Sequence, residues 1–265
     1  MKKFFAVPLA VVFIAACSES TSPTSTADLS PSYAKPVKPP TVTEATGNLA
    51  NGSFNFDVGG VTISSGVGIG SDTDNATVAA TADEVSYAPS NSNNGFIGRY
   101  NNTHTRTLLV FQQAGSKYTV KFDLYIIGSW DGKGKQAQNG AFQANVFQIG
   151  YRCGVDPTVT PVFTTTFSNQ LTVQQDYPAA LGLGGNKATT GAKATDALGF
   201  KDRPDLSNTP PFRSFGDATY PMSYTLSGIC PGTAPTFVIS STAPGQQSNY
   251  DESWALDNIV LKSDN

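Results

Sequence analysis

The sequence predicts an all-β fold, an antiparallel β-sandwich of the jelly-roll kind, and three observations carry that prediction. Apolar residues alternate with polar ones in short runs separated by turn residues, the period-2 signature of strands buried on one face. Gly and Pro are abundant, 25 and 17 of 265 residues, and only 14% of residues are charged, a poor composition for a helical bundle. Aromatics reach 11%, with 16 Phe and 10 Tyr, side chains that suit a pleated, half-buried surface. Outside the first sixteen residues no window has a convincing 3.6-residue apolar period.

The chain opens on Met1-Lys2-Lys3 and an apolar run from Phe4 to Ala16. A short basic start, an apolar stretch of this length and small residues at its end make a secretory signal. The run is too short for a bilayer span, which needs about 20 apolar residues. It ends Ile14-Ala15-Ala16-Cys17, which resembles the lipobox of bacterial lipoproteins. That resemblance implies cleavage before Cys17, a diacylglyceryl thioether on its sulfur and an acyl chain on its new amino terminus. Several acyl chains anchor far more firmly than one. Ser18 follows the cysteine, where Asp is the inner-membrane retention signal of the resembled pattern. The expected location is therefore the bacterial cell envelope, lipid-anchored, at the outer membrane.

Residues 17–47 read as a linker. Sixteen of the 26 residues from 18 to 43 are Ser, Thr or Pro, a composition that cannot bury a core. A coil of this length spans about 30 Å on average and about 80 Å if fully extended as polyproline. From residue 48 to 265 the alternating pattern takes over, and one domain without tandem repeats is the simplest reading. Phe54, Phe56 and Val58 alternate; Tyr118, Val120, Phe122, Leu124 and Ile126 give the cleanest strand. Phe142, Ala144 and Val146 change phase to Phe147, Ile149 and Tyr151, which predicts a bulge. Tyr220, Met222, Tyr224 and Leu226 alternate again, and residues 107–111, 162–167, 236–239 and 259–261 are further β-rich runs. Residues 90–95 and 182–185 read as turns. Residues 131–140 and 180–216 are too polar for core strands and read as long loops, a common place for function.

Charge and composition exclude several functions. The 17 basic and 20 acidic residues give a formal charge of −3, and loss of Lys2 and Lys3 with the signal leaves −5. No strongly basic face is available, so no nucleic-acid partner is expected. The single histidine, His104, removes most catalytic triads and all multi-histidine metal sites. There is no GxSxG, HExxH or phosphate loop, so no catalytic residue is assigned. Of the three cysteines, Cys17 is the one that the lipobox resemblance assigns to lipid. Cys153 and Cys230 remain, each beside Gly or Pro in an exported domain, where thiols oxidise, and a disulfide between them is expected.

Several strings then resemble, in order, a family of exported bacterial β-sandwich modules that end in a DESWGLDNV-like strand. They are Phe96–Tyr100, FDLYIIGSWDG (Phe122–Gly132), TTFSN (Thr165–Asn169), Gln175–Pro178, Leu198–Phe200, Asp217–Tyr220 and DESWALDNIVL (Asp251–Leu261). The family is similar to MAM, concanavalin-type and carbohydrate-binding jelly rolls, and the match covers roughly residues 54–261. The chain departs from it in the Lys/Gln-rich KGKQAQNG that follows the Trp130-Asp131 pair and in the Cys-Pro turn before Thr236. By phase, Ala255, Asp257, Ile259 and Leu261 face one side of a strand. An Asp in that register needs a cation, an Arg such as Arg99, or several backbone N–H groups. The resemblance implies a structural Ca²⁺ between the terminal strands, with Asp57 and Asp257 as ligands and Asp251 and Glu252 as nearby oxygen donors. Trp130 and Asp131 are the candidate ligand-binding pair, an aromatic platform beside a carboxylate that fits a sugar ring. The alternative for Trp130 is a core role, with Asp131-Gly132 as a tight turn.

The expected function is a non-catalytic, lipid-anchored surface module that binds glycan or mediates adhesion. The alternatives are a purely structural envelope lipoprotein without a small ligand and a concanavalin-like polysaccharide hydrolase.

Overall fold

The computed structural model describes residues 47–50, 53–58, 61–69, 76–111, 114–134, 144–201, 215–243 and 251–264. They form three antiparallel sheets. Among the described residues there is no α-helix, only one 3₁₀ turn at Ala82–Glu84, and no helix long and apolar enough to cross a membrane.

The small sheet joins β1 (Gly47–Ala50), β2 (Ser53–Val58) and β3 (Val61–Gly68) in chain order. The five-stranded sheet is built from β4 (Ala76–Val78), β7 (Thr105–Phe111), β9 (Val146–Cys153), β10 (Thr160–Thr166) and β13 (Pro235–Thr242), in the order β10-β9-β13-β7-β4. The six-stranded sheet contains β5 (Val85–Ala88), β6 (Asn91–Asn101), β8 (Lys117–Gly128), β11 (Ala194–Thr195), β12 (Asp217–Ser227) and β14 (Glu252–Asp264), in the order β11-β12-β8-β14-β6-β5. The all-β antiparallel sandwich predicted from period-2 patterning is the observed fold class.

The main core lies between the two larger sheets. Phe122, Leu124, Ile126, Tyr220, Trp254 and Leu256 come from the six-stranded sheet; Leu109, Phe111, Phe147, Ile149, Phe237 and Ile239 come from the five-stranded one. Phe147 meets Trp254 edge-on at 5.9 Å, and the Trp254 indole donates to Ser241 Oγ at 2.9 Å across the two sheets. The long run from Tyr118 to Ile126 is the inner face of β8. The phase change anticipated before Phe147 has a plain outcome: β9 begins at Val146, with Phe147 and Ile149 buried, and Phe142 lies outside the described residues.

Two sequence expectations are corrected. Residues 90–95, read as a turn, are mostly strand: β6 starts at Asn91, and the hairpin turn shrinks to the link between Ala88 and Asn91. Polar Asn and Ser hide the strand because that end of it packs on backbone. A Cβ on Gly95 would sit 2.0 Å from the Ser65 carbonyl oxygen of β3, so close approach of main chains replaces side-chain packing.

The second correction is one of phase. In β14 a bulge falls between Asp257 and Val260, with Asn258 at φ +50°. A bulge inserts one residue and reverses which face the following side chains meet. Ala255 and Asp257 therefore point to the outer face, whereas Ile259 and Leu261 rejoin Trp254 and Leu256 in the main core. The outer face has its own apolar cluster, in which Leu198 and Phe200 cover Phe96, Tyr125, Ile127 and Ala255. The polar segment 180–216 thus contributes two anchoring side chains as well as loop.

Candidate functional site

Cys153 and Cys230 are disulfide-bonded, with their Cα atoms 5.1 Å apart. The bridge ties the end of β9 to the turn before β13, whose Pro235 pairs with Cys153. The expected pairing is thereby met, and neither cysteine is a thiol nucleophile.

The outer face of the six-stranded sheet carries the first polar centre. Asp123 of β8 and Asp257 of β14 are directly opposite in register, both buried. Like charges so placed repel unless partners relieve them. Lys193 Nζ and Asn258 Nδ2 each reach Asp123 Oδ2 at 2.6 Å. Asp257 Oδ1 accepts from the backbone N–H of Gly68 at 2.7 Å and of Asn258 at 2.8 Å, and Oδ2 accepts from the Tyr125 hydroxyl at 2.8 Å. Burial pushes the Asp257 carboxyl above its ordinary range, and these three donors pull it partly back. A side chain at position 68 would displace the Asn258 amide, since a Cβ there would stand 2.2 Å from its Oδ1.

The partner that a buried Asp257 requires is thus supplied by backbone N–H groups and a phenol. Arg99 turns elsewhere, with its guanidinium carbon 4.9 Å from the centre of the Phe200 ring. Asp57 lies on β2, paired through its backbone with Thr62, and its side chain is outside the described residues. Protein donors reach both oxygens of Asp257, and the Asp57–Asp257 calcium ligation that the resemblance implies falls on a side chain outside the described residues. No group of three His, Cys, Asp or Glu side chains among the described residues is arranged to hold a metal ion.

The second centre gathers where β8 ends and β14 begins. Trp130 is fully buried, and its indole donates to the Ser253 carbonyl at 3.0 Å. It offers no face to a sugar, so the platform reading is corrected to a core role. Asp131 is half-buried, bridges to Ser168 and accepts from the Gln170 amide. Asp251 Oδ1 accepts from Ser129 Oγ at 2.6 Å. Glu252 is sealed from solvent; Oε2 accepts from Asn102 Nδ2 at 2.5 Å, while Oε1 has no hydrogen-bond partner. Burial, reinforced by the Asp131 and Asp251 charges, pushes its carboxyl up to about 7, against the pull of Asn145 and Asn102.

A third centre was not singled out in the sequence. Asp176, buried in a turn-rich cap over residues 167–200, accepts from Gly184 N–H at 3.0 Å and Gly182 N–H at 3.1 Å and lies 3.2 Å from Lys133 Nζ. Beside it the buried Gln175 side chain accepts from Ser168 N–H and Thr189 N–H and donates to the Thr190 and Tyr177 carbonyls. The available signal was the Gln175–Pro178 string, which the resemblance contained without a role. No family model, curated protein or solved structure matches the chain.

Proposed function

We propose that this chain is an exported, lipid-anchored β-sandwich module that acts by binding at the bacterial cell envelope without catalysing a reaction. The observation that carries the reading is the division of the cysteines. Two of the three close a disulfide inside the domain, as an oxidising compartment allows; the third, Cys17, stands at the end of a secretory signal in the sequence Ile14-Ala15-Ala16-Cys17. The non-catalytic part is supported by the facing pair Asp123 and Asp257, whose oxygens accept from Lys193, Asn258, Gly68 and Tyr125. A glycosidase pair needs carboxyl groups free to meet substrate and water.

Glycan is the first ligand class to test, on the resemblance to carbohydrate-binding jelly rolls and on the half-buried Asp131 that remains after Trp130 enters the core. Expressed in a bacterium, the wild type should fractionate with the outer membrane, and C17S should lose that location while keeping its fold. Equal membrane association of the two proteins would contradict the anchor. A glycan array on the purified protein tests the ligand class, and binding lost in D131N would place the contact.

A further inference from the structure

The cap over residues 167–200 displays three leucines. Leu171 is 86% exposed, Leu181 44% and Leu183 80%. Single exposed apolar residues are ordinary on a protein surface, but here the support beneath them is unusual. The turn that carries Leu181 and Leu183 is held by both oxygens of the buried Asp176 carboxylate, through the N–H groups of Gly182 and Gly184. Lys133 clamps it a second time, donating to the Gly184 carbonyl at 2.8 Å while pairing with Asp176. The Lys133 N–H also donates to the Gln174 carbonyl, three residues after Leu171. One lysine thus links the two turns, and an ion pair with a buried carboxylate fixes leucines that point at solvent. A buried carboxylate is costly unless fully partnered, and here it orders a turn without covering any apolar side chain of that turn.

Charge adds an independent observation. From residue 157 to residue 195 the only acidic side chain is Asp176, which is buried and paired with Lys133. Lys187 in the same stretch is exposed. With Asp176 paired, the charge of residues 157–195 is carried by lysines, so this stretch does not repel anionic headgroups. Leucines at the tips of turns, rather than in a groove, suit a planar, deformable apolar phase. On the reading that Cys17 carries lipid, the Ser/Thr/Pro-rich segment keeps the domain within about 30 Å of a bilayer on average, so the cap meets that surface at high effective concentration.

We propose that Leu171, Leu181 and Leu183 form a membrane-contact surface through which the anchored domain seats itself on its own bilayer. The proposal rests on the anchor, so the test reads anchor and face separately. The full-length protein is purified as L183C and as V155C; Val155 is fully exposed and follows the disulfide-bonded Cys153 in the chain, outside the cap. Each is labelled with an environment-sensitive fluorophore and reconstituted into phosphatidylethanolamine and phosphatidylglycerol vesicles that contain a headgroup-level quencher. Flotation of unlabelled wild type with the vesicles reports the anchor. The expected result is flotation, with the probe at position 183 quenched several times more strongly than the probe at position 155. Quenching should fall toward the position 155 level when L171S and L181S are added to L183C. Flotation with equal quenching at both positions overturns the membrane face and leaves the anchor standing. Leucine-dependent self-association without probe quenching assigns the surface to a protein partner and also overturns the proposal. Failure to float removes the anchor, and absence of quenching on vesicle addition then removes the face as well.

Discussion

Glu252 is the residue whose chemistry is most out of line with its surroundings. It is sealed from water, holds one hydrogen bond through Oε2, and faces Asp131 and Asp251. The folded state therefore favours its neutral form, with a carboxyl raised from 4.5 to about 7. For an acid raised on folding, the stabilising contribution is complete below the unfolded value and is lost as pH rises through the folded one. Between pH 4.5 and pH 7 this group alone should remove roughly 3 kcal/mol, at 1.36 kcal/mol per pH unit. Melting temperatures of the wild type and E252Q, measured from pH 5 to pH 8, should diverge at the alkaline end, with E252Q the less pH-dependent. Parallel curves would show that the carboxylate is ionised and paired. His104 acts in the opposite direction. Burial and then the Arg106 charge hold its imidazole below the ordinary range, so its share of stability is lost as pH falls, and H104Q should remove that loss.

Among the strands, β14 shows how one residue redirects a site. Its bulge at Asn258 places Asp257 on the outer face, where Gly68 N–H, Asn258 N–H and the Tyr125 hydroxyl hold it. D257N should destabilise the domain by about 1–3 kcal/mol, the cost of disturbing a buried hydrogen-bonded group, and a chelator should leave the melting curve of the wild type unchanged. A chelator-sensitive midpoint that becomes insensitive in D257N would instead establish a metal. Trp130 makes a second case. Its burial against Ser253 predicts that W130A costs about 3–5 kcal/mol, as read by chemical denaturation, and that a stable W130F variant keeps whatever glycan affinity the wild type has. Strands with side chains alternating across one buried face, such as β8 and β12, were legible because alternation is a property of sequence alone. β6 was hidden because Gly95 packs backbone on backbone, and the β14 bulge was hidden because nothing in Asp-Asn-Ile-Val distinguishes a bulge from a regular strand before its partner strand is known. For the same reason the polar centres were half visible: Asp257 and Glu252 were singled out, while their partners Tyr125, Gly68 and Asn102 lie dozens of residues away and only the fold brings them together.

At the scale of the molecule, the Cys153–Cys230 bridge ties β9 to the turn before its neighbour β13 in the five-stranded sheet, across 77 residues of chain. On the chain-entropy account such a loop is worth about 4 kcal/mol, so C153A/C230A should lower the unfolding free energy from chemical denaturation by about that amount without changing the strand content seen by circular dichroism. Disulfide, signal-like start, lipobox-like junction and Ser/Thr/Pro-rich segment are consistent with the proposal of an exported domain anchored through Cys17. The most direct test is the intact mass of the mature protein, extracted from the membrane fraction and alkylated without reductant. The account predicts a chain of residues 17–265 carrying acyl groups on Cys17, two hydrogens lighter for the Cys153–Cys230 bond, with no alkylated thiol. A chain cleaved elsewhere, lacking acyl mass or showing alkylated cysteine, would contradict it.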